Sequence, residues 1–149
     1  MFALPHPHAP ATLTDDLTIW QLYFGLHGRI GRRNYWLHGV LGLMVFSLVA
    51  MALLEIAGFR PERAEAIVNL LVAWPAFAIS AKRWHDRGNA TWWGLLALVP
   101  WASRLVALAD GWVVVLTGLA TITQLIVLLF NGLLPGTRGP NRYGPAPSR

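Results

Sequence analysis

The chain has no cysteine, which rules out disulfides, thiolate metal sites and cysteine nucleophiles. Charge is scarce as well. Only 13% of the 149 residues are Asp, Glu, Lys or Arg, against roughly 25% in soluble domains. A small globular core cannot absorb that deficit, because a domain of this size keeps much of its surface wet. Acid is the scarcer sign, with 7 Asp and Glu against 12 Lys and Arg. No HExxH, P-loop or GxSxG pattern occurs, so three common catalytic architectures have no starting point. Residues 1–14 hold no Lys or Arg, which argues against a cleaved signal peptide.

Apolar residues fill the space instead. They make up 55% of the chain, and the mean hydropathy is +0.47. They fall into four blocks, near residues 35–57, 66–81, 91–109 and 112–130. Each block is apolar on all faces, whereas membrane barrels alternate polar and apolar positions. The expected fold is therefore an all-α integral membrane protein, a four-span transmembrane helix bundle. The first block is too long for a signal-peptide core and reads as an uncleaved anchor. The second is short for a span and carries Trp74-Pro75, which predicts a kink. Within the fourth, Thr117, Gly118, Thr121, Thr123 and Gln124 suit close helix packing better than a pore.

The flanks read differently. Residues 1–13 are proline-broken and predict a disordered arm. His6 and His8 lie in that arm, but two ligands on a floppy segment are too few for a closed metal site. From Thr14 the pattern predicts a short amphipathic interfacial helix, capped by Thr14 and carrying Asp15 and Asp16 in its first turn. The membrane domain then runs over 14–134, and residues 135–149 form a Pro- and Gly-rich tail.

Charge gives an orientation. Arg29, Arg32 and Arg33 precede the first block, Lys82, Arg83 and Arg87 follow the second, and Arg138, Arg142 and Arg149 follow the fourth. The opposite junctions hold Arg60 and Arg63, opposed by Glu55, Glu62 and Glu65. The positive-inside rule then predicts both termini in the cytoplasm. Arg104 is the one basic residue inside an apolar block, and it sits close enough to the predicted end to snorkel, with Asp110 as a partner.

Three stretches carry chemistry. The first is Gly28-Arg29-Ile30-Gly31-Arg32-Arg33-Asn34-Tyr35-Trp36. The second is Lys82-Arg83-Trp84-His85-Asp86-Arg87-Gly88-Asn89-Ala90-Thr91-Trp92-Trp93. The third is Pro135-Gly136-Thr137-Arg138-Gly139-Pro140-Asn141-Arg142-Tyr143-Gly144-Pro145. Together and in this order they resemble the bacterial inner-membrane family known as domain of unknown function 805, over about residues 20–147. That family shows a GR-x-x-R-x-x-(Y/F)-W opening, an R-x-H-D-x-G-x-x-x-WW centre and a PGT-x-G-x-NR(Y/F)GP ending. Departures here are Trp84, where an aliphatic residue is usual, and Asn89-Ala90-Thr91, where the family often has a basic residue, Ser and Gly. The resemblance implies a cytoplasmic-membrane protein and no assigned reaction.

The residues themselves suggest more. Arg29, Arg32 and Arg33, and likewise Arg83 and Arg87, would share helical faces at spacings of three and four. A guanidinium fork suits phosphate, so these arginines, with Asn141, Arg142 and Tyr143, are candidate contacts for lipid phosphates. The expected function is non-enzymatic binding or scaffolding at the inner leaflet. Its expected partners are membrane lipids, anionic ones included, and not nucleic acid. No cofactor is implied, and self-association stays open. The alternative is an enzyme acting on a lipid or polyprenyl head group, with His85 and Asp86 as acid and base. It would need a cleft gathering His85, Asp86 and the Asn141–Tyr143 segment. Against it, neighbours in a helix do not face each other. Asp86 is expected instead to pair with Arg32 or Arg33, His85 to bond backbone, and the tail to fold back with Asn141 and Tyr143 as hydrogen-bonding groups.

Overall fold

The computed structural model describes residues 17–100, 102 and 113–147. The Thr14 cap, Asp15, Asp16, His6, His8, Arg104 and Asp110 lie outside them. Among the described residues the chain is helical, with one isolated bridge between Asn141 and Gly144 and no strand. Among the described residues three helices are long and apolar enough to cross a membrane: Arg32–Ile56, Pro61–His85 and Val114–Leu133.

The first element, α1, is Ile19–Tyr23. Thr18 caps it: its hydroxyl accepts from the Gln21 amide at 3.2 Å, and the Gln21 side chain accepts from the Thr18 amide at 3.0 Å. This reciprocal pair satisfies two end amides at once. Leu22 turns inward, while Ile19 and Trp20 are exposed.

The long helix α2 runs Arg32–Ile56. It contains a π-helical stretch over Tyr35–Gly42. The wider turn offers the His38 carbonyl sideways, and the Tyr23 hydroxyl donates to it at 3.2 Å. No residue of the Leu43–Ile56 segment is buried inside the protein. An apolar helix face with no protein against it has lipid as its solvent. The helix ends at Ala57 with Gly58 at φ +87°. There the Phe59 amide reaches back to the Leu54 carbonyl at 3.0 Å, as a left-handed glycine cap allows.

The central element is α3, Pro61–His85. Proline opens it, Glu62 sits in its first turn, and Lys82, Arg83 and His85 sit in its last, all in accord with the helix dipole. The helix extends beyond the expected short span at 66–81 at both ends. The helix continues past Ala81 because its charged last turn is buried against protein rather than left in water. It also runs through Pro75 as one element.

After α3, residues Thr91–Leu98 form a 3-10 helix; most of the rest of the predicted third span, at 91–109, lies outside the described residues. The 3-10 helix lies antiparallel on α3 at close range. A Cβ on Gly94 would sit 2.9 Å from the Ala81 amide nitrogen, so only glycine permits this approach. Trp93 stacks on Trp84 at 5.4 Å between centroids. The last helix, α4, is Val113–Leu133, three residues longer at its C-terminal end than the apolar block predicts. Its buried positions include Ala120, Val127 and Asn131.

Gly94→Val should therefore push the 3-10 helix off α3. We expect a loss of about 1–3 kcal/mol, the usual cost of overpacking, visible as a lowered midpoint in thermal unfolding in detergent, with Gly118→Val as a neighbouring-free control.

Candidate functional site

The three sequence motifs meet at one point, the carboxylate of Asp86. Asp86 is the residue that closes α3, and it is 4% exposed. One oxygen takes Arg29, with Nη2 at 2.9 Å and Nε at 3.1 Å. The other takes the Nη1 of Arg83. The expected partners, Arg32 and Arg33, lie elsewhere. Arg29 precedes α2 instead of sharing its face, so the chain there can turn its guanidinium inward, while Arg32 and Arg33 in the first turn stay exposed.

Arg29 does more than neutralise Asp86. Its Nη1 donates to the carbonyls of Gly139 at 2.9 Å and Gly144 at 3.2 Å, and its Nη2 to that of Thr137 at 3.0 Å. Arg83, fully buried, donates to the carbonyls of Asn131 and Leu134 at the end of α4. The two guanidiniums thus close off one carboxylate and the carbonyls of two chain segments, as charges buried at this depth require.

The tail is moulded on this pair. The Thr137 amide donates to the Asp86 carbonyl at 2.8 Å. Gly136 passes so close that an added Cβ would overlap the Asp86 carboxylate. The Asn141 side chain donates to the His85 carbonyl at 2.9 Å. Tyr143 lays its ring flat on His85, with centroids 3.8 Å apart and planes 7° from parallel. Arg142 donates to the Gly88 carbonyl at 3.1 Å. The tail does fold back, and Asn141 supplies hydrogen bonds; Tyr143 contributes its ring face.

His85 and Asp86 are brought together with Asn141 and Tyr143, in direct contact with the tail. His85 is 1% exposed. Its Nδ1 lies 3.0 Å from the Gly28 carbonyl, which can only accept, so that nitrogen carries the proton. Its Nε2 lies 2.8 Å from the Thr91 hydroxyl and takes that proton. Both ring nitrogens are engaged and one face is covered. Asp86 is held by two cations. Among the described residues both groups are thus engaged with protein partners.

Arg87 takes a different role from Arg83. It lies past the helix, donates to the Asn131 side chain at 3.1 Å and stacks 4.1 Å over the Trp84 ring. Burial lowers the Arg87 guanidinium from its usual value, nearby Arg83 adds to this and Asp86 opposes it. An arginine remains charged through such a shift.

Two features escaped sequence reasoning. Lys82 is fully buried. Its ammonium donates to the carbonyls of Leu22 at 2.8 Å, Gly25, and Ala78 at 3.4 Å. It therefore pins α1 and the segment just after it to α3, and the signal available was a lysine at the inner end of an apolar block. The second is Arg138. With Arg32, Arg33, Asn34 and His38 it lines a groove of about 1180 Å³ between the start of α2 and the tail. Among the described residues the one carboxylate on that groove is Asp86, already held by Arg29 and Arg83.

A bundle of apolar helices whose polar end is locked by a buried arginine–aspartate cluster defines a class of small polytopic membrane protein. Residues 23–145 match the family described as "Protein of unknown function (DUF805)", and the chain belongs to that family. It is 33% identical over 141 residues to "Uncharacterized protein YiiR" of Escherichia coli (strain K12), covering 86% of this chain and 89% of that one. It is 31% identical over 135 residues to "Inner membrane protein YhaH" of the same strain, covering 88% and 93%. Identity to "Inner membrane protein YhaI" is 28% over 131 residues. No solved structure matches the chain.

Asp86→Asn should leave two buried guanidiniums short of a counter-charge. We expect it to cost about 3–5 kcal/mol, as loss of one member of a buried ion pair does, and to open the tail to limited proteolysis after Pro135. Gly136→Ala should release the tail equally, by steric overlap with the intact carboxylate. Midpoints in detergent and cleavage rates in nanodiscs check both.

Proposed function

We propose that this protein crosses the bacterial cytoplasmic membrane four times with both termini inside, and that it acts without catalysis by binding anionic lipid phosphates at the inner leaflet. The crossing number is supported by chain direction. Helix α2 leaves the end where Arg29 meets Asp86, α3 returns to it, and α4 also ends there at Asn131 and Leu134. The 3-10 helix sets off from that same end, with Thr91 on His85 and Gly94 on Ala81. Helix α4 ends at that end and so starts from the opposite one, which fits the proposed count of four.

The observation that carries the binding reading is charge imbalance at one end. Among the described residues, that end holds Arg29, Arg32, Arg33, Lys82, Arg83, Arg87, Arg138 and Arg142 against Asp86 alone. The other end holds Arg60 and Arg63 among three glutamates, with one exposed contact of 3.7 Å between Arg60 and Glu62. Each basic residue beside an anionic leaflet contributes about 1 kcal/mol. Arg29, Arg83, Arg87 and Asn141 are committed to protein groups, so they build the site and do not face lipid. Arg32, Arg33 and Arg138 are exposed on the groove and meet the headgroups. Trp36 fixes the depth of this wall, since its indole donates to the Gly132 carbonyl at 3.1 Å.

Native mass spectrometry of protein released from mixed phosphatidylglycerol and phosphatidylcholine nanodiscs tests the reading. The wild type should retain the anionic lipid preferentially. The Arg32→Gln, Arg33→Gln, Arg138→Gln triple variant should lose that preference by about tenfold or more, while its melting midpoint stays within a few degrees. Equal retention of both lipids by the wild type, or an unchanged preference in the variant, would refute it.

A further inference from the structure

We propose that the groove between α2 and the tail selects a lipid whose headgroup carries two phosphates. This inference rests on the reading that the groove binds anionic headgroups, and it adds the charge and form of the ligand.

The first argument is charge matching. Three guanidiniums, Arg32, Arg33 and Arg138, line one concavity. Among the described residues none of them forms an ion pair, and the groove's one carboxylate is already clamped. A single phosphodiester carries one negative charge. Bound here, it would leave two positive charges of the same groove uncompensated at the edge of a low-dielectric slab, where repulsion is stronger than in water. Two phosphates supply two or more charges, and each can accept a bidentate arginine fork. The Asn34 amide and the His38 imidazole line the same wall and give further polar contacts.

The second argument is shape. At about 1180 Å³ the groove exceeds the space one phosphate fills and lies above the usual range of small-molecule pockets, roughly 300–1,000 Å³. It is not a purely polar bowl. Leu37 lines it one turn below Arg33. Leu41, Met44, Val45 and Leu48 continue downward from there along α2, each 47% exposed or more. A hydrocarbon chain attached to the phosphates can run along that apolar strip. A free diphosphate would leave the strip unused.

The third argument is rigidity. Arg138 lies between Thr137 and Gly139, whose carbonyls are both held by Arg29. Its backbone is therefore anchored from within the buried cluster while its side chain is exposed. Opposite it, Arg32 donates to the Leu133 carbonyl at 3.2 Å. Pre-positioned cations discriminate by charge better than mobile ones, because less ordering is needed on binding.

The test uses the full chain in phosphatidylcholine nanodiscs, titrated with phosphatidylglycerol, cardiolipin, farnesyl diphosphate or inorganic diphosphate, and read by native mass spectrometry. The two lipids with two phosphates should bind at least about tenfold tighter than phosphatidylglycerol, and inorganic diphosphate should bind more weakly than either. Arg138→Gln and Arg32→Gln should each erase most of that ratio, and Arg63→Gln, at the opposite end, should leave it unchanged. Phosphatidylglycerol binding as tightly as cardiolipin and farnesyl diphosphate overturns this inference and leaves the broader reading standing. Inorganic diphosphate matching the lipids also overturns it, by removing the role of the chain. Failure of every anionic lipid to bind overturns both.

Discussion

The structure depends on one carboxylate held between two guanidiniums. Asp86 ends the central helix, Arg29 comes from the segment before α2, and Arg83 comes from one turn back on α3. Each arginine then uses its remaining donors on the end of α4 or on the tail. Bundles in lipid lack a hydrophobic force between their helices, so packing and polar contacts must hold them together. Here most of the polar contact is gathered at one end. The outer faces of α2 and α4 are apolar and exposed, and the charged residues of the opposite end, Glu55, Arg60, Glu62, Arg63 and Glu65, are exposed as well.

That concentration has a functional consequence. The buried cluster fixes the tail, the tail forms one wall of the groove, and the wall presents Arg138 to the same space as Arg32 and Arg33. Arginines at this end therefore divide into two groups. Arg29 and Arg83 are structural, with their charge cancelled or shared by protein acceptors. Arg32, Arg33 and Arg138 carry charge outward. The buried group keeps the outward group in place, and on the proposed reading it is the outward group that meets an anionic leaflet.

Helix type and membrane residence were legible in the sequence, because long apolar blocks free of charge have no other stable form in lipid. Boundaries were not. The charged last turn of α3 reads as the outside of a span, since sequence alone cannot show that Lys82 and Arg83 find carbonyls and a carboxylate inside the bundle. The meeting of the three motifs was legible in outline, as a link between Asp86 and the first motif. The choice of Arg29 was not, because it turns on where α2 begins. Helical spacing put Arg29 on a shared face with Arg32 and Arg33, whereas the helix starts at Arg32 and leaves Arg29 free to point inward. Arg138 was missed because its neighbours are turn residues, and only the fold shows that Arg29 holds them. Gly136 and Gly94 carry no signal beyond being glycines. Their need comes from close approach to Asp86 and Ala81.

The central claim is that Asp86 joins the first junction to the tail, and the absence of native cysteine allows a clean measurement of it. Spin labels at His27→Cys and Arg138→Cys, read by double electron–electron resonance in nanodiscs, report the separation of the two segments. One short, narrow distance distribution should appear with Asp86 present, and it should broaden and lengthen in Asp86→Asn. A broad distribution with Asp86 intact, or a narrow one that Asp86→Asn leaves unchanged, would contradict the account.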